Sequence, residues 1–280
     1  MSESEKGKAV LYDGNRCIGC RACSVACKSW NKNPADKESD NGVEITGGIE
    51  GKTQLSARTF TFMRYREIGD GDDFRWAFAK IQCMHCLNPA CETACIVGAL
   101  RRDEETGAVT YDTNKCIGCR YCMVACPFGV PTYEWDKRLP WIHKCTFCSN
   151  RLSGGLAPAC VTACPTEALE IFDERAQAIE EAHRRIEASP DKYVDRVYGE
   201  KEAGGTSWLY ISPVESEELG FPALGEEPAT KNARTAMGTL PYYAGGVVVI
   251  MAGLYWYTKR RQKLSGTDGD NQHEKEGVTK

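Results

Sequence analysis

Cysteines are the residues of this sequence whose number and spacing could do chemistry. The 280-residue chain has sixteen of them, in four groups of four. The first and third groups share the spacing C-x2-C-x2-C-x3-C, while the second widens the middle gap to four residues and the fourth to eleven. Thiolates at the first of these spacings ligate iron-sulfur clusters, three on one cluster and the fourth on another. The groups are Cys17, Cys20, Cys23 and Cys27; Cys83, Cys86, Cys91 and Cys95; Cys116, Cys119, Cys122 and Cys126; and Cys145, Cys148, Cys160 and Cys164.

Sixteen thiolates are enough to hold four [4Fe-4S] clusters, and all sixteen are predicted to be cluster ligands. Structural zinc also uses C-x2-C pairs, but it needs only two separated pairs, so a third cysteine two or three residues on is surplus. Disulfides are disfavoured because cysteines this close along a tight turn are poorly placed to pair, and because a chain of this length does not need such dense cross-linking. The spacing therefore favours iron-sulfur chemistry.

An internal repeat surrounds the first and third groups. Residues 12–27, YDGNRCIGCRACSVAC, match residues 111–126, YDTNKCIGCRYCMVAC. A duplicated unit explains this match better than chance does. The predicted fold class is α+β, with two tandem or interleaved bacterial-type 2[4Fe-4S] ferredoxin modules within residues 1–175, an insertion at 29–78, and one C-terminal transmembrane helix.

Local patterns predict secondary structure around the cysteine groups. Alternation indicates a strand at 58–68 followed by a turn at 70–73, and a hairpin with a Thr-Gly turn at 101–112. Residues 166–172 are predicted to be the closing strand of the cluster domain. A helix is predicted from about 174 to 188, since an aspartate can cap its start and a proline ends it.

The chain beyond the last cysteine group carries no recognisable chemistry. Residues 176–238 are predicted to hold this helix and then an extended arm or a linker, with one strand within 198–211. The helix is predicted to bury a face at helical spacing. That face consists of Ala176, Ile179, Ala182 and Ile186.

Polar residues beside the cysteines could tune a cluster. His85 lies between two predicted ligands, and we expect it to donate hydrogen bonds near the sulfurs rather than to bind iron, because four cysteines are already present. His143 and Lys144 precede Cys145, where a positive charge would favour a reduced cluster. We interpret these two residues as a solvated basic pair.

An apolar stretch near the C-terminus has the length of a membrane span. No charged residue occurs between Arg234 and Lys259, which leaves room for about one bilayer crossing at 1.5 Å per residue. Aromatic residues stand at both ends of the stretch, as interfacial aromatics do. Because aromatics and charges bracket it, we predict a transmembrane helix at 239–258 rather than a buried core helix, followed by a polar tail at 259–280.

The flanking charges predict an orientation in the cell membrane. Four basic residues lie within 259–263, whereas only Lys231 and Arg234 closely precede the span. The positive-inside tendency then puts the C-terminus in the cytoplasm and the cluster domain on the periplasmic or outer face. The first ten residues have neither an apolar run nor a twin-arginine pair, so no export signal is predicted. A partner would have to carry the folded domain across, and glycines in the span would let the helix pack closely on a membrane subunit.

Charge and motifs exclude several classes of function. The net charge of -4 argues against a nucleic-acid partner. There is no glycine-rich dinucleotide fingerprint and no acid-base or nucleophile constellation. No catalytic residue is therefore predicted, and the chain is expected to conduct electrons rather than to transform a substrate.

Four cysteine groups in this order, the long gap in the last group and one C-terminal membrane helix together resemble the electron-transfer beta subunit of membrane-bound formate dehydrogenases. They equally resemble the related subunit of membrane-bound nickel-iron hydrogenases, and both belong to the iron-sulfur subunit family of molybdopterin oxidoreductases. The resemblance covers nearly the whole chain. CKSWN at 27–31 and the absence of a signal look more like the formate type, whereas CRYCMVACPFGVP at 119–131 and YGEKEAGG at 198–205 look equally like the hydrogenase type.

The resemblance implies a crossed pairing of the cysteine groups, first with fourth and second with third. Three cysteines from one group and one from its partner would hold each cluster. The implied sets are Cys17, Cys20, Cys23 and Cys164; Cys27, Cys145, Cys148 and Cys160; Cys83, Cys86, Cys91 and Cys126; and Cys95, Cys116, Cys119 and Cys122.

The resemblance also implies a function and partners. Four clusters would relay electrons between a catalytic subunit, in the first instance a molybdenum or tungsten formate dehydrogenase, and an integral membrane subunit with a cytochrome b or quinone site. The same role in a nickel-iron hydrogenase is one alternative. A standalone membrane-tethered polyferredoxin is another.

Overall fold

The computed structural model describes residues 7–36, 54–135, 137–138 and 140–264. Part of the predicted insertion, most of the predicted C-terminal tail and the start of the chain, where no export signal is predicted, therefore lie outside the described residues. The chain divides into two compact units, with the boundary between Lys231 and Asn232.

The described part of the first unit contains nine strands, six α-helices and two 3-10 turns, at Gly71–Asp73 and Glu202–Gly204. The strands are β1 (Ala9–Asp13), β2 (Thr61–Ile68), β3 (Arg75–Gln82), β4 (Leu100–Arg102), β5 (Val109–Tyr111), β6 (Thr132–Tyr133), β7 (Ile142–His143), β8 (Leu169–Phe172) and β9 (Trp208–Ile211). The helices are α1 (Ala22–Asn31), α2 (Ala90–Thr93), α3 (Tyr121–Ala125), α4 (Ser149–Ser153), α5 (Ala159–Thr162) and α6 (Arg175–Ala188).

A three-stranded sheet in the order β8-β1-β9 joins the two ends of the first unit. β1 runs antiparallel to β8, with Val10 opposite Ile171, and parallel to β9, with Val10 opposite Trp208. Every residue of β1 and β9 is buried, as is usual for strands that are covered on both faces. The closing strand predicted at 166–172 is confirmed as β8.

α6 packs on this sheet and confirms the helix predicted after the last strand. Ala178 and Ala182 are buried against Leu11 of β1. The predicted face is wrong at its start, because Ala176 is exposed. Arg175 instead fixes the first turn: its guanidinium is buried and donates hydrogen bonds to backbone carbonyls, so the inward-facing stripe begins at Ala178.

Three hairpins supply the other strands. β2 pairs with β3, β4 with β5, and β6 with β7, all antiparallel. The strand predicted at 58–68, the turn at 70–73 and the hairpin at 101–112 are confirmed. Neither β3 nor the β6-β7 hairpin is predicted from the sequence. The strands of the latter have two residues each, too few for alternation to be recognised.

Helix packing brings the cysteine groups together in pairs. α1, in the first group, packs against α5, in the fourth, and α2 packs against α3. α5 also contacts β8, and α2 also contacts β4. The first and fourth groups therefore lie together next to β8 of the three-stranded sheet. The second and third groups lie together next to the β4-β5 hairpin.

Residues 191–230, predicted as an extended arm or a linker with one strand, pack within the first unit. The predicted strand is present as β9. Beyond it, Val214, Leu219 and Phe221 are buried in the same hydrophobic core as Val10. The parallel pairing of β9 with β1 ties this segment to the beginning of the chain.

The described part of the second unit is helical. It belongs to α7 (Lys231–Leu264), which has 34 residues. By length and composition, Gly238–Leu264 is able to cross a membrane, and it contains the predicted span at 239–258. Large apolar side chains such as Val248 and Trp256 are exposed along it, which suits a helix that faces lipid.

Candidate iron-sulfur centres

All sixteen cysteines lie among the described residues, and all are free of disulfide bonds. Most are buried or partly buried, whereas Cys20 and Cys119 are exposed. Within the described part of the chain, no three His, Cys, Asp or Glu side chains converge tightly enough for one metal ion. A four-iron cluster is larger than a single ion, so its thiolates stand further apart than the ligands of one ion.

The four C-x2-C loops each have a left-handed residue at the same position. The residue before the second cysteine has a positive φ in every loop: 67° at Gly19, 49° at His85, 70° at Gly118 and 56° at Phe147. Glycine adopts this region freely, but a side chain costs about 1 kcal/mol or more there. The His85 and Phe147 rings stack with their centres 4.7 Å apart, and this contact offsets part of that cost.

Each cysteine group has a sulfur that accepts a hydrogen bond. Donors of this kind stabilise thiolates and tune cluster potentials. The bonds are Asn31 Nδ2 to Cys27 Sγ at 3.6 Å, Ala99 N to Cys95 Sγ at 3.1 Å, Gly118 N to Cys116 Sγ at 3.4 Å, and Phe147 N to Cys145 Sγ at 3.4 Å.

One cavity is lined by four thiols. Thr61 and Trp208 also line it, and the Oγ1 and Nε1 atoms of these residues are buried without a hydrogen-bond partner among the described residues. A buried polar group left unpaired costs about 1–3 kcal/mol. Cluster sulfides could accept these bonds, so the lining fits an iron-sulfur cluster. The four thiols of this first cavity belong to Cys27, Cys145, Cys148 and Cys160.

A second cavity is also lined by four thiols. Three prolines and several apolar side chains, among them Phe128 and Val130, form most of the rest of its lining. This second cavity fits a cluster as the first one does. Its thiols belong to Cys83, Cys86, Cys91 and Cys126.

His85, next to Cys86, is fully buried. Its Nδ1 atom accepts a hydrogen bond of 2.9 Å from the backbone N–H of Val109, so the proton of the neutral ring must lie on Nε2. Burial, and then the charge of Lys144, hold the pKa of His85 well below its usual value. Nε2 has no partner among the described residues. A neutral ring with a free N–H is what the predicted donor to cluster sulfur requires, and that role stays a prediction.

The remaining thiols influence one another through charge. Burial first, and then the thiolates of Cys116, Cys119 and Cys95, raise the pKa of Cys122 to about 11. Buried thiols with raised pKa values hold their protons at neutral pH, so metal binding at these groups must displace protons.

Cys17 has the same kind of environment. Burial raises its pKa, hydrogen bonds from Tyr12 and Gly19 oppose that shift, and the thiolates of Cys164 and Cys20 add to it. Cys17 therefore lies near thiols of its own group and near Cys164 of the fourth group.

The interpretation of Lys144 as a solvated residue is wrong. Its side chain is buried, and the ammonium donates hydrogen bonds to the carbonyls of Val109 and, at 3.1 Å, of Cys145. The β6-β7 hairpin and β5 cover it, which the sequence did not predict. His143 lies 3.0 Å from Glu134 and is partly exposed.

Two further features of the cysteine groups and their surroundings were not predicted from the sequence. Lys80 on β3 is buried and lines the first cavity, but a lysine in an unrecognised strand gives no signal of burial. The second feature is a repeat between the other two cysteine groups, PACETAC at 89–95 and PACVTAC at 158–164. α2 and α5 begin at the same point in these segments, and direct comparison of the two groups could have identified it.

Comparisons with known proteins agree with these features. Residues 74–174 match the model of the 4Fe-4S dicluster domain family. A protein of Nitratidesulfovibrio vulgaris is 42% identical over 92% of this chain and 69% of its own length. The hydrogenase-2 operon protein HybA of Escherichia coli O157:H7 is 33% identical over 95% of this chain and 88% of its own. The iron-sulfur subunit of the nitrate-inducible formate dehydrogenase of Escherichia coli K12 is 32% identical over 89% and 83%.

These matches extend over the cysteine groups and most of the remaining chain. They agree with the thiol-lined cavities and with the sulfur-directed hydrogen bonds. The chain belongs to the family of [4Fe-4S] electron-transfer subunits that includes HybA and the iron-sulfur subunits of formate dehydrogenases.

Proposed function

We propose that this chain binds four [4Fe-4S] clusters, held in the crossed sets that the family resemblance implies. The observation that carries the proposal is the lining of the two cavities. Cys27 lines the first cavity with three cysteines of the fourth group, and Cys126 lines the second with three cysteines of the second group. These are two of the four expected sets, each with one ligand from a partner group.

The mutual influence of the other thiols supports the remaining two sets. Cys95 is among the charged neighbours of Cys122, together with Cys116 and Cys119. Cys164 is likewise a charged neighbour of Cys17. Each of these sets again joins three cysteines of one group to the last cysteine of its partner.

Two nested ferredoxin-type modules would follow from these sets. The first and fourth groups would form the outer module, around α1, α5 and the β1-β8 ladder. The second and third groups would form the inner module, around α2, α3 and the β4-β5 hairpin. The repeated C-x2-C conformation and the two sequence repeats support a duplicated origin.

The bound clusters would supply one-electron redox chemistry. The protein's part is to hold the thiolates, to donate hydrogen bonds to sulfur and to exclude water. We propose that the chain relays electrons between a catalytic subunit and an integral membrane subunit with a cytochrome b or quinone site. A molybdenum or tungsten formate dehydrogenase is the first catalytic partner to test, since the iron-sulfur subunit of a formate dehydrogenase is similar over 89% of this chain.

A hydrogenase complex is the second candidate. The similarity to HybA covers 95% of this chain, so it argues for this partner as strongly. Metal analysis of the intact complex, purified through this chain, separates the two. Molybdenum or tungsten indicates the formate type and nickel indicates the hydrogenase type.

We further propose that the 239–258 segment of α7 crosses the cell membrane, with the tail at 259–280 in the cytoplasm and the cluster domain on the periplasmic face. Exposed apolar side chains along α7 and the basic residues at 259–263 support this orientation. Accessibility of single cysteines, placed in a cysteine-free α7 tail and labelled from either side of the membrane, tests it.

The proposed electron relay through the clusters is tested by the variant Cys122→Ser. The variant is expected to lose one cluster and to stop electron flow to quinone, while the catalytic subunit still reduces a soluble dye. Met123→Leu, at the next position of α3, is the control and is expected to keep both activities. Undiminished flow to quinone in Cys122→Ser would refute the proposal.

A further inference from the structure

Lys80 is a buried cation without a carboxylate partner. Its side chain, on β3, is only 1% exposed. The ammonium donates a hydrogen bond of 2.9 Å to Gln82 Oε1 and lies 4.4 Å from the centre of the Trp208 ring. None of the ion pairs within the described residues includes Lys80. Among the described residues, this buried positive group therefore has a hydrogen-bond acceptor and an aromatic ring beside it but no carboxylate.

Burial of an unpaired ammonium is costly, so a nearby source of negative charge is needed. Cys27, Cys145 and Cys160 line the first cavity together with Lys80. Cys23 Sγ lies 3.6 Å from Met63 Sδ, and Met63 is the cross-strand partner of Lys80 in the β2-β3 hairpin. Cluster-bound thiolates are thus the counter-charge that explains why a lysine is tolerated in this position.

The four thiolates around Lys80 belong to two proposed clusters. Cys23 belongs to the set that includes Cys164, whereas Cys27, Cys145 and Cys160 form the neighbouring set with one further cysteine. One ammonium thus acts on both clusters of the outer module. An electron added to a cluster increases its negative charge, and a nearby positive charge in an interior of low polarity favours that reduced state.

We propose that Lys80 is a positioning charge that raises the reduction potentials of both clusters of the outer module. This inference rests on the proposed function, because it requires both clusters to be present. Lys80 has no contact with substrate and acts only through the clusters.

The test is a potentiometric titration of the intact complex, with reduced clusters counted by electron paramagnetic resonance. Lys80→Met removes the charge at similar side-chain volume. Two of the four clusters are expected to become harder to reduce, with the reduction equilibrium lowered at least tenfold, or about 59 mV for a one-electron step. Lys80→Arg keeps the charge and is expected to leave all four potentials near those of the wild type.

Lys115→Met is the matched control. Lys115 precedes the ligand Cys116, but its side chain is 53% exposed, so water and salt screen its charge. No potential is expected to shift in this variant. If Lys80→Met loses iron, Lys80→Gln is titrated in its place. Iron loss in both neutral variants, with retention in Lys80→Arg, also supports a required charge.

Several results would overturn the inference. These are unchanged potentials in a fully loaded neutral variant, an equal shift of all four clusters, or the same loss of iron in Lys80→Arg as in the neutral variants. A wild-type complex with fewer than four clusters in this chain would contradict the proposed function instead, whatever the Lys80 variants do.

Discussion

The hydroxyl of Tyr133 donates a hydrogen bond of 3.2 Å to the carbonyl oxygen of Gly118, in the loop that carries the exposed Cys119. The guanidinium of Arg120 lies 4.6 Å from the centre of the Tyr133 ring. Tyr133 thus contacts this loop twice, through its hydroxyl and through its ring. The tyrosine comes from β6, a strand outside the repeated segment.

The first cysteine group has the same pair of contacts. Tyr65 of β2 donates a hydrogen bond to the carbonyl of Gly19, and Arg21 lies over its ring with Cζ 5.2 Å from the centre. The two tyrosines occupy unrelated places in the sequence. Both loops that carry an exposed cysteine are therefore fixed by the same contact, supplied by different elements.

We expect Tyr133→Phe to loosen the loop of Cys119. The loss of one hydrogen bond to a backbone carbonyl costs about 0.5–1.5 kcal/mol, and a looser loop exposes the iron that Cys119 would hold. The rate of iron transfer to a chelator is the measurement, and it is expected to rise several-fold. Tyr121→Phe is the control, since Tyr121 lies exposed on α3. Equal rates in both variants would show that the hydrogen bond has no protective role.

The crossed sets predict which cysteine variants lose the same cluster. Cys91→Ser and Cys126→Ser are expected to remove one and the same resonance from the spectrum of the reduced complex, although the residues belong to different groups. Cys122→Ser, in the same group as Cys126, is expected to remove another. If Cys122→Ser and Cys126→Ser abolished the same resonance, the groups would bind clusters separately and the crossing would be wrong.

Arg185 on α6 is predicted to hold that helix on the sheet. Its guanidinium lies 3.3 Å from Asp13 and 2.6 Å from Glu181, and it also pairs with Glu170. Asp13 is fully buried, and an uncompensated buried charge destabilises by several kcal/mol. Because Asp13 keeps hydrogen bonds from Tyr193 and Asn15 and an ion pair with Arg16 at 3.5 Å, its charge stays partly compensated, and we expect Arg185→Met to cost about 2 kcal/mol.

Amide hydrogen exchange of α6 and β1 in the intact complex measures this loss. Arg184→Met is the matched control, because Arg184 pairs with the same Glu181 from an exposed position and is expected to leave exchange unchanged. Exchange that accelerates equally in the two variants would mean that the buried pair with Asp13 contributes nothing.

The sequence predicts what depends on neighbouring residues. Cysteine spacing indicated [4Fe-4S] binding, and alternation or helical spacing indicated β2, the β4-β5 hairpin, β8 and α6. The burial of charged side chains and the pairing of distant strands could not be predicted from these local patterns. β9 pairs with a strand about 200 residues away along the chain, and Lys80 and Lys144 become buried only because distant elements cover them. At Ala176, the local pattern was overridden by the hydrogen bonds of one arginine.

The similarity between the second and fourth cysteine groups was not predicted for a different reason. His85 and Phe147 replace the glycines of the other two loops, so the sequence pattern conceals the positive φ that all four loops have at this position. The stacked rings allow this replacement. The CIGC segments of the first and third groups do not reveal that the second and fourth groups are related to each other. The similar segments at 89–95 and 158–164 do reveal it.

Native mass spectrometry of this chain, prepared without oxygen and in detergent, tests the central claim most directly, because it weighs the clusters that the chain holds. The account predicts the mass of the polypeptide plus four [4Fe-4S] clusters, and the loss of one such cluster in Cys122→Ser. A wild-type chain that carries two clusters, or zinc in place of iron and sulfide, would contradict it.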